Sequence, residues 1–339
     1  MPKIIVSGGC GYIGSHTLVD LVSHGYEVIS IDNLSRAFKE TLDGVKRITG
    51  KNIKNYEVDL CDREATLQLF AEHTDASGII HFAAYKSVPE SVEVPLLYYQ
   101  NNLNALVNIL YAAQKFQVNK FVFSSSCAVY GNTSQLPVLE TTPFEKAESP
   151  YGRTKQMGEA ICEDFSKVNP AHQLVLLRYF NPVGAHESAL IGDRNKRKEN
   201  LVPIITEAAS GLRPSMTVYG TDYDTRDGYC IRDYIHVMDI AHAHTLAIEK
   251  ALNGKINNSC EVYNLGTGNG VSVLELLAAF ERVSGQKLNY TLGERRMGDV
   301  GKIYADSAKA EQELGWVPQF DIDEMMRTAW NWQLQMNQM

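Results

Sequence analysis

The sequence predicts an α/β protein: a doubly wound parallel sheet followed by a smaller C-terminal α/β lobe. Three observations carry that expectation. Short apolar runs alternate with longer helical patterns through the first half of the chain. A glycine cluster separates the first apolar run from the first helical pattern, the arrangement of a Rossmann-type sheet. Beyond about residue 180 the rhythm changes, and helical segments are separated by loops rich in Gly, Asp and Asn.

The strand-like runs lie at 3–6, 28–31, 53–58, 78–82, 120–124 and 174–177, with helical patterns at 13–23, 63–72, 96–117 and 151–167. Strands joined in this way lie parallel, with a ligand crevice beyond their carboxyl ends. Later helical segments fall at 201–210, 238–252 and 272–284. The expected division is a dinucleotide-binding domain at 1–180 and a substrate lobe at 181–339. No Pro/Gly/Ser linker separates them, so the lobes should share a cleft.

Composition narrows the function. With 44% hydrophobic and 21% charged residues, the 339-residue chain is globular in type. A net charge of -8 argues against a general nucleic-acid or membrane-surface binder. The basic run Arg194, Lys196, Arg197, Lys198 is a local exception, read first as a solvated loop and second as a flank for an anionic ligand. No stretch approaches the roughly 18 apolar residues of a membrane span, and Met1-Pro2-Lys3 leads straight into the first strand without a signal-peptide pattern. The six cysteines are scattered without a Cys-x-x-Cys pair, which suits free thiols and a cytoplasmic location. His242 and His244 stand two apart on a helical pattern and point to different faces, so no metal is expected.

The loop Gly8-x-x-Gly11-x-x-Gly14 departs by one residue from G-x-G-x-x-G but meets the same demands. Gly8 permits the tight turn, Gly11 the approach of backbone to a pyrophosphate, and Gly14 the closure of helix on strand; the helix N-terminus attracts the anion. The second strand ends in Asp32-Asn33. A carboxylate there accepts hydrogen bonds from ribose hydroxyls and repels a 2′-phosphate, which favours NAD over NADP. Arg36 nearby weighs the other way, but Asp32 holds the strand tip. Asp59, after the third strand, suits the adenine amino group.

Tyr151 and Lys155 stand four apart on one helix face. A phenol with a reference pKa of about 10 is a poor base at neutral pH. A lysine cation and an oxidised nicotinamide favour its phenolate, a shift of about 3 units requiring roughly 4 kcal/mol. Tyr-x-x-x-Lys is a cheap pattern among 17 tyrosines, and Tyr111 with Lys115 repeats it deep in an apolar-faced helix. Tyr111 reads as structural. Tyr151 instead follows Pro150 at a helix start. Ser124-Ser125-Ser126, at the end of the fifth strand, offer a hydroxyl to relay the proton.

Together the loop 8–14, the segment Ser124-Ser125-Ser126…Val129-Tyr130-Gly131 and Ser149-Pro150-Tyr151-Gly152-x-x-Lys155 resemble UDP-glucose/UDP-galactose 4-epimerases, members of the extended short-chain dehydrogenase/reductases. The resemblance continues through Arg178-Tyr179-Phe180-Asn181-Pro182, Asn200-Leu201-x-Pro203, Arg232-Asp233-Tyr234, Tyr263-Asn264-Leu265-Gly266 and Arg295-Arg296-x-Gly298-Asp299. It implies Ser126, Tyr151 and Lys155 as catalytic residues. It implies NAD contacts from Gly8, Gly11, Tyr12, Ile13, Gly14, Asp32, Asn33, Asp59, Leu60, Phe82, Ala83, Lys86, Asn101, Tyr151, Lys155 and Phe180. UDP-sugar contacts are implied for Ser126, Asn181, Asn200, Leu201, Tyr219, Arg232, Arg296, Asp299 and Ile303. Arginine forks suit a diphosphate.

The implied reaction is transient oxidation at C4 of the sugar, interconverting UDP-galactose and UDP-glucose. At Ile303 relatives carry a large tyrosine or a small cysteine or serine, and the intermediate isoleucine implies weak acceptance of UDP-N-acetylglucosamine. A homodimer through helices such as 96–117 follows by analogy alone. Among alternatives, a dehydratase or decarboxylase typically carries acidic residues before Val-Tyr-Gly, where this chain has Cys127 and Ala128. A catalytically idle NAD sensor need not keep Ser126, Tyr151 and Lys155 in register.

Overall fold

The computed structural model describes residues 1–195, 198–295 and 300–338. Its centre is a seven-stranded parallel sheet. The first half supplies β1 (Lys3–Ser7), α1 (Tyr12–Ser23), β2 (Glu27–Ile31), α2 (Thr41–Thr49), β3 (Asn55–Tyr56), α3 (Arg63–Glu72) and β4 (Ala76–His81). It continues through α4 (Val88–Glu93), α5 (Pro95–Lys115), β5 (Lys120–Ser124), α6 (Pro150–Val168) and β6 (Gln173–Tyr179). The strands alternate their side chains between two cores. Ile4, Val6, Val122, Val175 and Leu177 pack beneath α1 on one face. Ile5, Phe121, Phe123, Leu174 and Leu176 pack against α3, α5 and α6 on the other. Because both faces are covered, the strands read as nearly unbroken apolar runs.

The second half forms β7 (Asn181–Val183), α7 (Leu201–Ala209), β8 (Met216–Tyr219), β9 (Ile231–Arg232), β10 (Tyr234–His236), α8 (Val237–Leu252) and β11 (Cys260–Leu265). It ends with β12 (Val271–Ser272), α9 (Val273–Ser284), β13 (Tyr290–Gly293), β14 (Lys302–Ile303), α10 (Ala308–Leu314) and α11 (Ile322–Met336). Val202, Ile205, Leu276, Phe280 and Met326 form the separate core of this lobe.

The strand order is β11-β6-β5-β4-β1-β2-β3, so the direction of winding reverses between β1 and β4 and opens the crevice there. The expected border at residue 180 needs correction for two elements. β11 pairs with β6 as the seventh strand, and Ile240, Ala243, Ala247 and Ile248 of α8 complete the core beneath α1. β11 escapes a sequence reading because it carries Glu261 and Asn264. Both are buried, with Glu261 bonded to Lys250 and Asn264 to Tyr130. Among the described residues no helix is long and apolar enough to cross a membrane.

Candidate active site

The glycine loop is built from close backbone approaches. Gly8 adopts φ +74° and donates its N–H to Ile31 O at 2.7 Å. A Cβ there would meet Ala83 N at 2.9 Å. Gly11 caps α1 in extended conformation, with no side chain closing the helix N-terminus. Asp32, just past β2, accepts from Cys10 N at 3.1 Å and Leu34 N at 2.9 Å, so it braces the loop from below. Burial pushes its carboxyl pKa up, and these two amides oppose the shift.

A crevice of about 1440 Å³, its open mouth included, runs over this loop. Its walls contain Gly8, Gly11, Tyr12, Ile13, Gly14, Asp32, Asn33, Asp59, Leu60, Phe82, Ala83, Lys86, Asn101, Tyr151 and Lys155. Several are already fixed by local bonds. Asn33 Oδ1 accepts from Ser35 N and Oγ, Asp59 Oδ1 from Cys61 N, and Asn101 Nδ2 donates to Asn102 Oδ1. Tyr12 donates to Gly184 O at 2.6 Å and ties the crevice to the second lobe. Arg36 is held away from Asp32 by Glu90 at 2.8 Å and lies over the Tyr85 ring.

Phe180 does not line the crevice. It is 2% exposed, in a seam between the lobes with Val129, Tyr130, Val138, Ile303 and Ala305.

At the inner end, Ser149 caps α6 by accepting from Gly152 N at 3.1 Å, and Pro150 starts the helix. That places Tyr151 in the first turn and Lys155 one turn later, both buried. Ser126 lies close enough to Tyr151 to favour its phenolate, and its Oγ accepts from Ala128 N at 3.2 Å. Lys155 Nζ donates to Ser124 O at 2.6 Å and lies 6.0 Å from the Tyr151 ring centroid.

Burial raises the Tyr151 pKa well above the ordinary phenol value, Tyr179 adds to the rise, and Ser126 opposes it. Burial also lowers Lys155 to about 8. The ammonium is anchored on a backbone carbonyl, one turn of α6 from the phenol.

The residues expected around a UDP-sugar are more dispersed. Arg232 and Ile303 are direct partners across β9 and β14. Arg232 Nη1 donates to Ile231 O at 3.0 Å, and its charge reaches Cys127 beside Ser126. Asn181 opens β7, its N–H bonded to Asp233 O at 2.9 Å. Asn200 lines a smaller cavity with Tyr12, Gly184 and Asp193. Leu201 opens α7 and packs on the second lobe's core. Tyr219 ends β8 and is exposed. Arg296 and Asp299 lie outside the described residues.

Sequence reasoning missed two parts of this wall. Tyr179 ends β6, lines the crevice and shares a 2.7 Å hydrogen bond with Ser124 Oγ. Its place in the Arg178-Tyr179-Phe180 motif was the available signal. The strap Gly192, Asp193, Arg194, Asn195 also lines the crevice. Trp332 Nε1 and Lys198 Nζ donate to Asp193 O. Burial works against the Asp193 carboxylate, but Lys86 and Lys198 hold its pKa below the usual range. In sequence this strap reads first as a solvated loop, and only its basic run from Arg194 hinted at an anionic ligand.

Comparison with known proteins agrees with this geometry. The family model described as GDP-mannose 4,6 dehydratase matches residues 5–329. The UDP-glucose 4-epimerase of Bacillus subtilis is 47% identical over 331 residues, covering 97% of this chain and 96% of that one. That of Drosophila melanogaster is 46% identical over 341 residues, covering 98% and 97%. A crystal structure of the Stenotrophomonas maltophila UDP-glucose 4-epimerase with bound NAD and formylated UDP-arabinopyranose superposes with a TM-score of 0.96 at 41% identity, covering 100% and 99%. The Bifidobacterium longum enzyme in complex with NAD⁺ and UDP gives 0.93 at 43%, covering 98% of each chain. The chain belongs to the UDP-glucose 4-epimerase family of extended short-chain dehydrogenase/reductases.

Proposed function

We propose that the protein interconverts UDP-galactose and UDP-glucose through C4 of the sugar, with NAD resident in the crevice between β1 and β4. The observation that carries the reading is that Tyr151 and Lys155 line the inner end of the crevice that runs over the glycine loop, with Ser126 close enough to act on the phenol. The cradle fits NAD: Gly8 and Gly14 leave no room for a Cβ, the α1 N-terminus is uncapped by any side chain, and Asp32 lies in the crevice wall just past β2, where a carboxylate would accept from ribose hydroxyls. Glu90 engages Arg36, which weakens the case for a 2′-phosphate. Bound there, NAD supplies the hydride acceptor for C4 and, when oxidised, a positive charge favouring the Tyr151 phenolate.

Tyr151 takes the proton of the 4-hydroxyl, directly or through Ser126. Lys155, anchored on Ser124 O, holds that end of α6 against β5. Burial around Tyr151, Lys155 and Tyr179 excludes water while the sugar is oxidised. Arg232 serves the diphosphate. Ile303 sets the sugar's room, so UDP-N-acetylglucosamine turns over weakly. A dehydratase reading, despite the family model's description, lacks an acid or base at Cys127 and Ala128.

The assembly in this reading is a homodimer. Leu97, Val107 and Tyr111 of α5 and Met157 of α6 are exposed apolar side chains on adjacent helices. The location is the cytoplasm, which suits six free cysteines.

Conversion of UDP-galactose to UDP-glucose by the purified protein tests the reading, and an inactive wild type refutes it. Tyr151→Phe should lower turnover by about two decades or more while UDP-sugar binding survives. Tyr111 is exposed, with Arg63 over its ring at 3.7 Å. Tyr111→Phe should stay near wild type, and the reverse result overturns the catalytic assignment.

A further inference from the structure

At the far end of α1 from the glycine loop, one carboxylate and two imidazoles converge from helices distant in sequence. Asp20 lies in the last turn of α1 and His24 caps its C-terminus four residues on, while His242 reaches them from α8. Asp20 Oδ2 is 3.4 Å from His24 Nδ1 and 3.4 Å from His242 Nδ1. One donor atom from each residue fits within a 4.8 Å circle. We propose that Asp20, His24 and His242 form a binding site for a zinc-type divalent transition-metal ion that bridges α1 and α8.

The distances favour ligation over an ion pair. Charge-assisted N–H···O bonds run about 2.7–2.9 Å, and both contacts are longer. Two donors on a tetrahedral ion with bonds of about 2.0–2.1 Å stand about 3.3 Å apart, close to the observed spacing. Among the described residues the Asp20 carboxylate has only these two rings as polar partners. It is 7% exposed, and a buried carboxylate so weakly paired carries a desolvation cost that a cation relieves. The charges acting on His242 are the carboxylates of Asp20, Asp239 and Glu249, a negative field that attracts a cation.

Two imidazoles and a carboxylate are a borderline donor set that suits zinc, nickel or copper. His24 is exposed, so the ion has an entry path and an open coordination position. His24 Nδ1 also lies 2.8 Å from Asp20 O and 3.3 Å from Ser23 Oγ, local contacts that a metal bond through Nδ1 would replace. His244, two residues from His242, takes no part. Its ring packs on Phe82 with centroids 4.5 Å apart, and its Nδ1 bonds Ile240 O.

The test uses the untagged, NAD-loaded full-length protein, stripped with a chelator and titrated calorimetrically with zinc chloride. One zinc per chain should bind, and His24→Ala and His242→Ala should each weaken binding by about tenfold or more. His186→Ala, a histidine elsewhere on the second lobe, should match wild type. Cobalt(II) in place of zinc should give a tetrahedral visible spectrum that His242→Ala abolishes. The exposed position of His24 makes its variant safe for folding. Absence of saturable binding, or binding unchanged in both variants, overturns the site. Asp20 sits roughly 13 Å along α1 from its Gly11 cap, so UDP-galactose turnover should be the same with and without zinc. Failure of the metal site therefore leaves the epimerase reading intact.

Discussion

Gly14→Ala isolates the demand that the cofactor cradle makes on the backbone. A Cβ at Gly14 would sit 2.1 Å from Gly8 O and 2.9 Å from both Gly8 C and Gly9 Cα. All three are backbone atoms, so no side-chain rotation relieves the clash. Ordinary contact starts at 3.4 Å, so α1 and the loop must separate by 3.4 minus 2.1, about 1.3 Å. Overpacking of this kind costs about 1–3 kcal/mol, and the severity of the overlap points to the upper end. Alanine returns up to about 1 kcal/mol of helix propensity, leaving a net loss of about 2 kcal/mol.

The effect on NAD should be larger. Amide–phosphate hydrogen bonds tolerate only a few tenths of an ångström, and each bond to a charged group is worth about 1.5–3 kcal/mol. Loss of two lowers affinity by more than about a hundredfold. Urea unfolding and NAD released per chain on denaturation give the two readouts. Gly25→Ala is the control, since Gly25 has φ +82° and nothing within 4 Å of an added Cβ. It should cost about 1 kcal/mol of backbone strain and leave NAD content unchanged. A Gly14→Ala protein with wild-type stability and a full complement of NAD would refute the close-approach argument.

Two further outcomes follow from burial. Ile303→Tyr should suppress UDP-N-acetylglucosamine epimerisation and spare UDP-galactose, while Ile303→Ser should raise it, a change in the kcat/KM ratio worth about 1–3 kcal/mol; an unchanged ratio means that this position is not the gate. Burial lowers His16, His81 and His236 to about 3 and His244 to about 4. Their folded values lie below the unfolded one, so the unfolded chain binds more protons as pH falls from 6.5 toward these values, and stability drops. Each histidine should cost about 2 kcal/mol at pH 5 relative to pH 7. Equal urea midpoints at the two pH values would contradict this.

The sheet and its crevice were legible because their signals are local. A short strand buried on both faces needs an apolar centre, as Ile4-Ile5-Val6 supplies within Lys3–Ser7. A loop that crosses Ala83 N and Gly8 O at contact distance must be glycine. The Tyr151–Lys155 spacing needs only one helical turn. From such short-range constraints the chain alone specified the doubly wound fold, the cofactor loop, and which of two Tyr-x-x-x-Lys pairs opens a helix beside the crevice.

What no local pattern carries is the partner of each polar group. Arg36 weighs toward NADP until Glu90, fifty-four residues on, takes its guanidinium. Lys155 reads as a partner of Tyr151, and only the fold shows that its ammonium is anchored on Ser124 O. Phe180 reads as a cofactor contact, and only the packing shows that it shares the seam between the lobes with Ile303. His242 looks like half of a pair with His244, yet it meets Asp20 from 222 residues away. Hydrogen bonds and desolvation depend on which surfaces meet, and packing of the lobes decides that. Residue type and spacing state what a side chain can do; burial and the partner across the interface decide which of those things it does.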